Sequence, residues 1–87
     1  MKTIWKYPLI VTDFQNVRMP KGAEILSVAD QRGELCVWAL VDPDADLEDR
    51  MFYIFGTGNP VNEVIPMNFL GSVQQNVFVW HVFVEVK

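Results

Sequence analysis

His81 is the single histidine of this 87-residue chain and Cys36 its single cysteine. An imidazole can act as a general base or as a hydrogen-bond partner for a ligand. Neither a nucleophile nor a second base accompanies His81 in the sequence, and no metal ligand stands at ligand spacing on its strand. The residue types therefore nominate no catalytic residue, no metal ligand and no cofactor. Acid–base chemistry at His81 would need a carboxylate such as Asp42 or Glu63 brought to it by the fold. Failing that, His81 is a structural histidine bonded to a carbonyl or a nearby side chain.

Two further stretches carry chemistry-bearing residues. Gly56-Thr57-Gly58 follows an apolar run, and glycines there can bring backbone N–H groups to a ligand. A dinucleotide loop needs a third glycine and a helix, and a P-loop needs a Gly-Lys-Ser/Thr ending. Neither is present, so a turn requiring positive φ is the first expectation and ligand contact the second. Asp42, Asp44 and Asp46 match the first three ligand positions of a calcium loop. The match then fails, because Leu47 holds the glycine position and Tyr53 the bidentate glutamate position. Asp42 to Asp49 reads as a solvated loop, with weak cation binding as the alternative.

Rings supply the remaining candidates. Tryptophan and tyrosine anchor interfaces and stack on planar ligands, and they also fill the cores of small β folds. Trp5 and Tyr7, near a predicted edge strand, are interface candidates, as are Trp38 and Phe83. Trp80 joins Gly56, Thr57, Gly58 and His81 as a ligand-binding candidate, although Trp38 and Trp80 also suit a core.

The elements that must position these residues are strands. Turn residues punctuate the chain at short intervals, and no segment sustains a helical period. The expected strands are Thr3–Leu9, Phe14–Met19, Ala23–Asp30, Glu34–Val41, Arg50–Phe55, Phe69–Gln75 and Val77–Val86. Pro8 places the first at a sheet edge or ends it. Pro20-Lys21-Gly22 and Asp30 to Gly33 are turns, the second closing a hairpin. Ile25, Leu26 and Val28 are available for the core. Asn59 and Pro60 could open one short helical turn through Val64. Gly71 suggests a bulge, and Gln75-Asn76 a tight turn. The fold class is all-β: a single antiparallel domain over residues 1–87, a small sandwich or a partly open barrel.

Two strands are apolar on both faces. In Glu34–Val41 the alternation separates Leu35, Val37, Ala39 and Val41 from Cys36, Trp38 and Leu40. In Val77–Val86 it separates Phe78, Trp80, Val82, Val84 and Val86 from Val77, Val79, His81, Phe83 and Glu85. Such strands belong inside a sheet with one face in the core. Their other face needs a second subunit or a ligand.

Composition supports association. Hydrophobic residues make up 51% and aromatic residues 13% of the chain, both high for a domain this small. One cysteine excludes an intrachain disulfide and suits a reducing cytoplasm. A net charge of −4 argues against nucleic-acid binding, which needs a basic footprint. Neither a signal peptide nor a membrane-length apolar run is visible.

Several phrases taken together carry a resemblance. They are Lys6-Tyr7-Pro8-Leu9, Met19-Pro20-Lys21-Gly22-Ala23 with Ile25-Leu26-Ser27-Val28, and Trp38 to Pro43. Phe55-Gly56-Thr57-Gly58 with Pro60, Phe69-Leu70-Gly71 and Phe78 to Phe83 complete the pattern. In this order they resemble a family of short proteins encoded by tailed bacteriophages and prophages. The family brings no established activity. It implies a host-cell cytoplasm and a role against host machinery by binding rather than catalysis. The first expectation is a non-enzymatic homo-oligomer that antagonises host defence by sequestering a small nucleotide-type ligand in a pocket built at a subunit interface. The alternative is an inhibitor or adaptor that binds a host protein. An enzyme using His81 is the third.

Overall fold

The computed structural model describes residues 1–87 and contains seven strands and no helix. They are β1 (Thr3–Leu9), β2 (Phe14–Pro20), β3 (Glu24–Gln31), β4 (Glu34–Val41), β5 (Leu47–Gly56), β6 (Met67–Gln75) and β7 (Phe78–Glu85). They form two antiparallel sheets, a three-stranded one ordered β1-β4-β3 and a four-stranded one ordered β2-β5-β7-β6. Neither sheet closes into a barrel. The two strands with apolar residues on both faces, β4 and β7, are interior strands of their sheets.

Local chemistry explains the connections. Pro20 O accepts from Ala23 N at 3.1 Å, with Gly22 at φ +81, which is the geometry of a type II turn. Arg32 and Gly33 both have positive φ, so the β3–β4 hairpin closes through two residues with the twist that suits paired strands. Pro8 sits on the edge strand β1, where its missing N–H is harmless.

The core lies between the sheets. Leu35, Val37, Ala39 and Val41 of β4 face Phe52 and Ile54 of β5 and Val82 and Val84 of β7 across it. Met19 and Val73 extend it at the edges. No polar or charged residue is buried, so burial of apolar surface is what holds the layers together. At the sheet edges β3 packs against β6, and Val28 reaches Gly71. A polar clasp closes the same edge. Gln75 Nε2 donates to Asp30 Oδ1 at 2.7 Å and to Gly33 O at 3.3 Å, while Gln75 Oε1 accepts from Trp80 Nε1 at 3.0 Å.

Four sequence expectations are corrected. Pro60 to Val64 is not helical: it is an irregular loop in which Val64 N donates to Asn62 Oδ1 at 3.1 Å. That short Asx turn replaces the cap expected at Asn59. β5 begins at Leu47, because pairing with β2 draws Glu48 and Asp49 out of the acidic loop and into the sheet. Leu26 is the extra residue of a bulge in β3 and is exposed instead of joining the core. Val77 belongs to the β6–β7 turn with Asn76, so β7 starts one residue later than expected. The expected bulge in β6 is present, with Leu70 as the extra residue beside Gly71.

Candidate functional site

The outer face of the four-stranded sheet carries a row of aromatic residues, one from each strand. Phe14 of β2 pairs with Tyr53 of β5, Tyr53 with Phe83 of β7, and Phe83 with Phe69 of β6. Their side chains share one face because directly paired residues point the same way. Ring centroids are 6.5 Å apart for Phe14 and Tyr53 and 5.2 Å for Phe69 and Phe83. Phe55, two residues along β5, meets Phe83 edge-on at 5.6 Å. Phe14 and Phe69 at the two ends are 61% and 58% exposed, so the row is open to solvent.

The next row over carries two polar residues. Phe55, His81 and Ser72 pair across β5, β7 and β6. Ser72 Oγ lies 2.7 Å from His81 Nδ1, and Thr57 Oγ1 lies 2.8 Å from His81 Nε2. Both ring nitrogens therefore bond hydroxyls, and neither Asp42 nor Glu63 bonds the ring. Thr57 reaches His81 because Gly58, at φ +90, turns the chain immediately after β5, and Thr57 N donates to Val79 O.

From this turn the loop of residues 57–66 runs along the sheet face and divides it into two hollows. The larger, about 720 Å³, is lined by Phe14, Met51, Tyr53 and Phe55 of the sheet and by Asn59 to Asn62 and Ile65 of the loop, with Asp13 beside them. The smaller, about 250 Å³, lies over Phe69, His81 and Phe83 and is closed by Gly56 to Asn59 and Val61. Phe55, Asn59 and Val61 form the wall between them.

Not all the nominated ligand residues meet. Gly56, Thr57, Gly58 and His81 come together at the smaller hollow. Trp80 points to the opposite side of β7, into the sandwich, where it packs against the core and stacks on Phe78 at 5.3 Å. Gly56 pairs with Trp80 there, and a Cβ on it would stand 3.2 Å from the indole.

The interface candidates also separate. Phe83 lies in the aromatic row. Trp38 lies on the outer face of the three-stranded sheet with Leu40 and the exposed Ile4. Trp5 is partly exposed on the core-facing side of edge strand β1. Tyr7, on the same side, packs against the core, and its buried hydroxyl has no hydrogen-bond partner. Desolvation raises the Tyr7 pKa above its ordinary value of 10.0.

Three carboxylates of the acidic stretch are occupied locally. Asp42 Oδ1 accepts from Asp44 N at 3.0 Å, Glu48 Oε2 from Gly22 N at 3.2 Å, and Asp49 pairs with Arg18 at 3.4 Å. No three His, Cys, Asp or Glu side chains converge as a metal site would need.

The family model for a domain of unknown function, DUF7352, matches residues 1–87. The chain belongs to this family. No curated protein and no solved structure matches it. Because the DUF7352 match spans every strand, the aromatic row and the 57–66 loop both fall within the family's domain. No helix of this DUF7352 protein is long and apolar enough to cross a membrane.

Sequence reading missed Phe14, Tyr53 and Phe69 as one site and missed Ser72 altogether. The signal for the row was register, which single strands do not reveal. The signal against joining Trp80 to His81 was available: neighbours on a strand point to opposite faces.

Proposed function

We propose that this protein is a non-enzymatic binding protein whose working surface is the outer face of the four-stranded sheet. It takes a small ring-bearing ligand in the groove between the aromatic row and the 57–66 loop. The observation that carries the reading is the register-aligned row Phe14–Tyr53–Phe83–Phe69, open to solvent beside a hollow of about 720 Å³. Ligand pockets of this size are concave and mostly apolar, with a few polar groups that set orientation. Asn59, Asn62 and the Thr57–His81–Ser72 chain supply those groups here. In the phage setting that the sequence resembles, such a protein would withhold a small molecule from host machinery.

Catalysis is less well supported. His81 has hydroxyl partners but no carboxylate to orient it, and the hydrogen-bonded chain suits fixing the loop.

The protein acts as a homo-oligomer in this reading. Its accessible surface of 5669 Å² exceeds the roughly 5,200 Å² typical of a folded monomer of this mass. The apolar patch of Ile4, Trp38 and Leu40 on the opposite sheet leaves the groove free when a second copy covers it.

Titration calorimetry with a panel of nucleosides, nucleotides and simple aromatic compounds tests the binding function. Binding that Tyr53→Ala weakens while the fold persists supports it. Silence across the panel overturns it.

A further inference from the structure

The groove's charge narrows its ligand. Asp13 is the only charged residue on the wall of the larger hollow, which is otherwise apolar and amide. Two more carboxylates, Asp49 and Glu85, stand on the strands of the same sheet face. The one cation on those strands' outer face is Arg18, and Asp49 already pairs with it at 3.4 Å. The chain as a whole carries −4. A phosphate or carboxylate ligand would therefore enter a negative field and meet no free cation.

Aromatic faces attract the opposite class of ligand. A ring presents negative charge on its face, so an organic ammonium group held over it is stabilised, most of all where water is partly excluded. Phe14 and Tyr53 lean together at an interplanar angle of 37° with centroids 6.5 Å apart, and Phe55 follows Tyr53 on the same face of β5. Ring faces, a single carboxylate and loop amides together form a receptor for a positive charge carried on an apolar body.

We propose that the larger hollow binds organic cations, specifically an alkylammonium or quaternary ammonium group attached to a ring or other apolar body. This proposal rests on the groove being a binding site and adds the sign of the ligand's charge. It departs from a nucleotide-type ligand, whose phosphates the wall does not accommodate.

The test uses three probes that share a ring and differ in charge: phenyltrimethylammonium, benzyl alcohol and benzoate. Each is titrated into the ¹⁵N-labelled protein while amide shifts are followed by NMR. The cation is expected to bind about fivefold or more tighter than the neutral ring, an advantage of about 1 kcal/mol. Its shifts should map to Phe14, Tyr53, Asn59, Val61 and Asn62. Asp13→Asn should reduce that advantage, read as the ratio of phenyltrimethylammonium to benzyl alcohol affinity. Asp13 is exposed, and its fold-bearing bond is made by its backbone oxygen to Ile54 N, so the variant keeps the sheet. Benzoate binding as tightly as the cation, or an unchanged cation preference in Asp13→Asn, overturns the charge assignment alone. Silence from all three probes overturns the groove reading and this inference with it.

Discussion

Ser72 and His81 face each other directly across the β6–β7 ladder, Oγ to Nδ1 at 2.7 Å, while Thr57 holds the other ring nitrogen at 2.8 Å. A neutral imidazole has one donor and one acceptor nitrogen. In that form one hydroxyl donates to the ring and the other accepts from it, and the two bonds link β6 through β7 to the loop. The two links differ in consequence, because Ser72 sits on a strand and Thr57 holds a loop.

Thr57→Val removes the loop's side-chain tie to His81 while preserving side-chain shape and the backbone bond from Thr57 N to Val79 O. Amide exchange over residues 57–66 is expected to accelerate, with exchange in β4 and β7 unchanged. The loss of stability should be about 1 kcal/mol, the usual net worth of one hydrogen bond. Ser72→Ala should leave the loop's exchange near the wild-type rate. Equal effects from the two variants would show that His81 does not anchor the loop through Thr57.

Gly71 marks a close approach between the two sheets. A Cβ there would lie 2.9 Å from Val28 Cγ1, closer than two carbon atoms tolerate. Gly71→Ala should cost roughly 1–3 kcal/mol by overpacking. Val28→Ala makes room, so the double variant should recover part of that loss. Urea denaturation of the wild type, both single variants and the double variant measures the coupling. Strict additivity would mean that the edges separate freely and that Val28 is not the obstacle.

The contrast between fold and site lies in what each needs from the sequence. The β3–β4 hairpin was legible because Arg32-Gly33 supplies the positive φ that its turn demands, and ELCVWALV announces an interior strand. The Pro20-Lys21-Gly22 turn was legible for the same reason. The aromatic row was not, because positions 14, 53, 69 and 83 become neighbours only when three strand pairings fall into register. The start of β5 was misplaced because Leu47-Glu48-Asp49 reads as acidic loop until β2 pairs with it. The link from Ser72 to His81 depends on the Leu70 bulge, which sets which β6 residue opposes His81.

Cys36 is fully buried although it lies on the outer face of its sheet. Lys6 bonds Gln31 at 2.9 Å across β4, and their register partners Trp38 and Glu34 flank Cys36 on either side. Desolvation pushes the thiol pKa above its ordinary value of 9.0, and the neighbouring Glu34 pushes it further. The folded state thus keeps a proton that the unfolded chain gives up. The resulting stability is complete below the unfolded value near 9 and is lost as pH rises through the folded value. Tyr7, raised by desolvation, adds the same trend above 10.0. Denaturation midpoints of the wild type and Cys36→Ala should run parallel below pH 8.5 and converge or cross above it. A difference independent of pH would show that the thiol does not ionise earlier in the unfolded chain. Iodoacetamide should modify Cys36 slowly in the native protein and rapidly in urea.

Ile4, Trp38 and Leu40 form the apolar strip on the three-stranded sheet, and Ile4 is 56% exposed. A lysine at position 4 would place an ammonium group in the centre of any interface built there, where desolvation is costly. Because Ile4 is solvent-facing in the single chain, Ile4→Lys should change monomer stability little. Light scattering at tens of micromolar should show wild type at a multiple of the 10.0 kDa chain mass and Ile4→Lys at the single-chain mass. Phe69→Ala, on the other sheet, should leave the mass unchanged, and Ile4→Lys should still bind the groove's ligand. A wild type that is monomeric throughout removes the oligomer from the proposed function. Dissociation by Phe69→Ala but not by Ile4→Lys moves the interface to the aromatic row, and ligand and second copy would then compete for one surface.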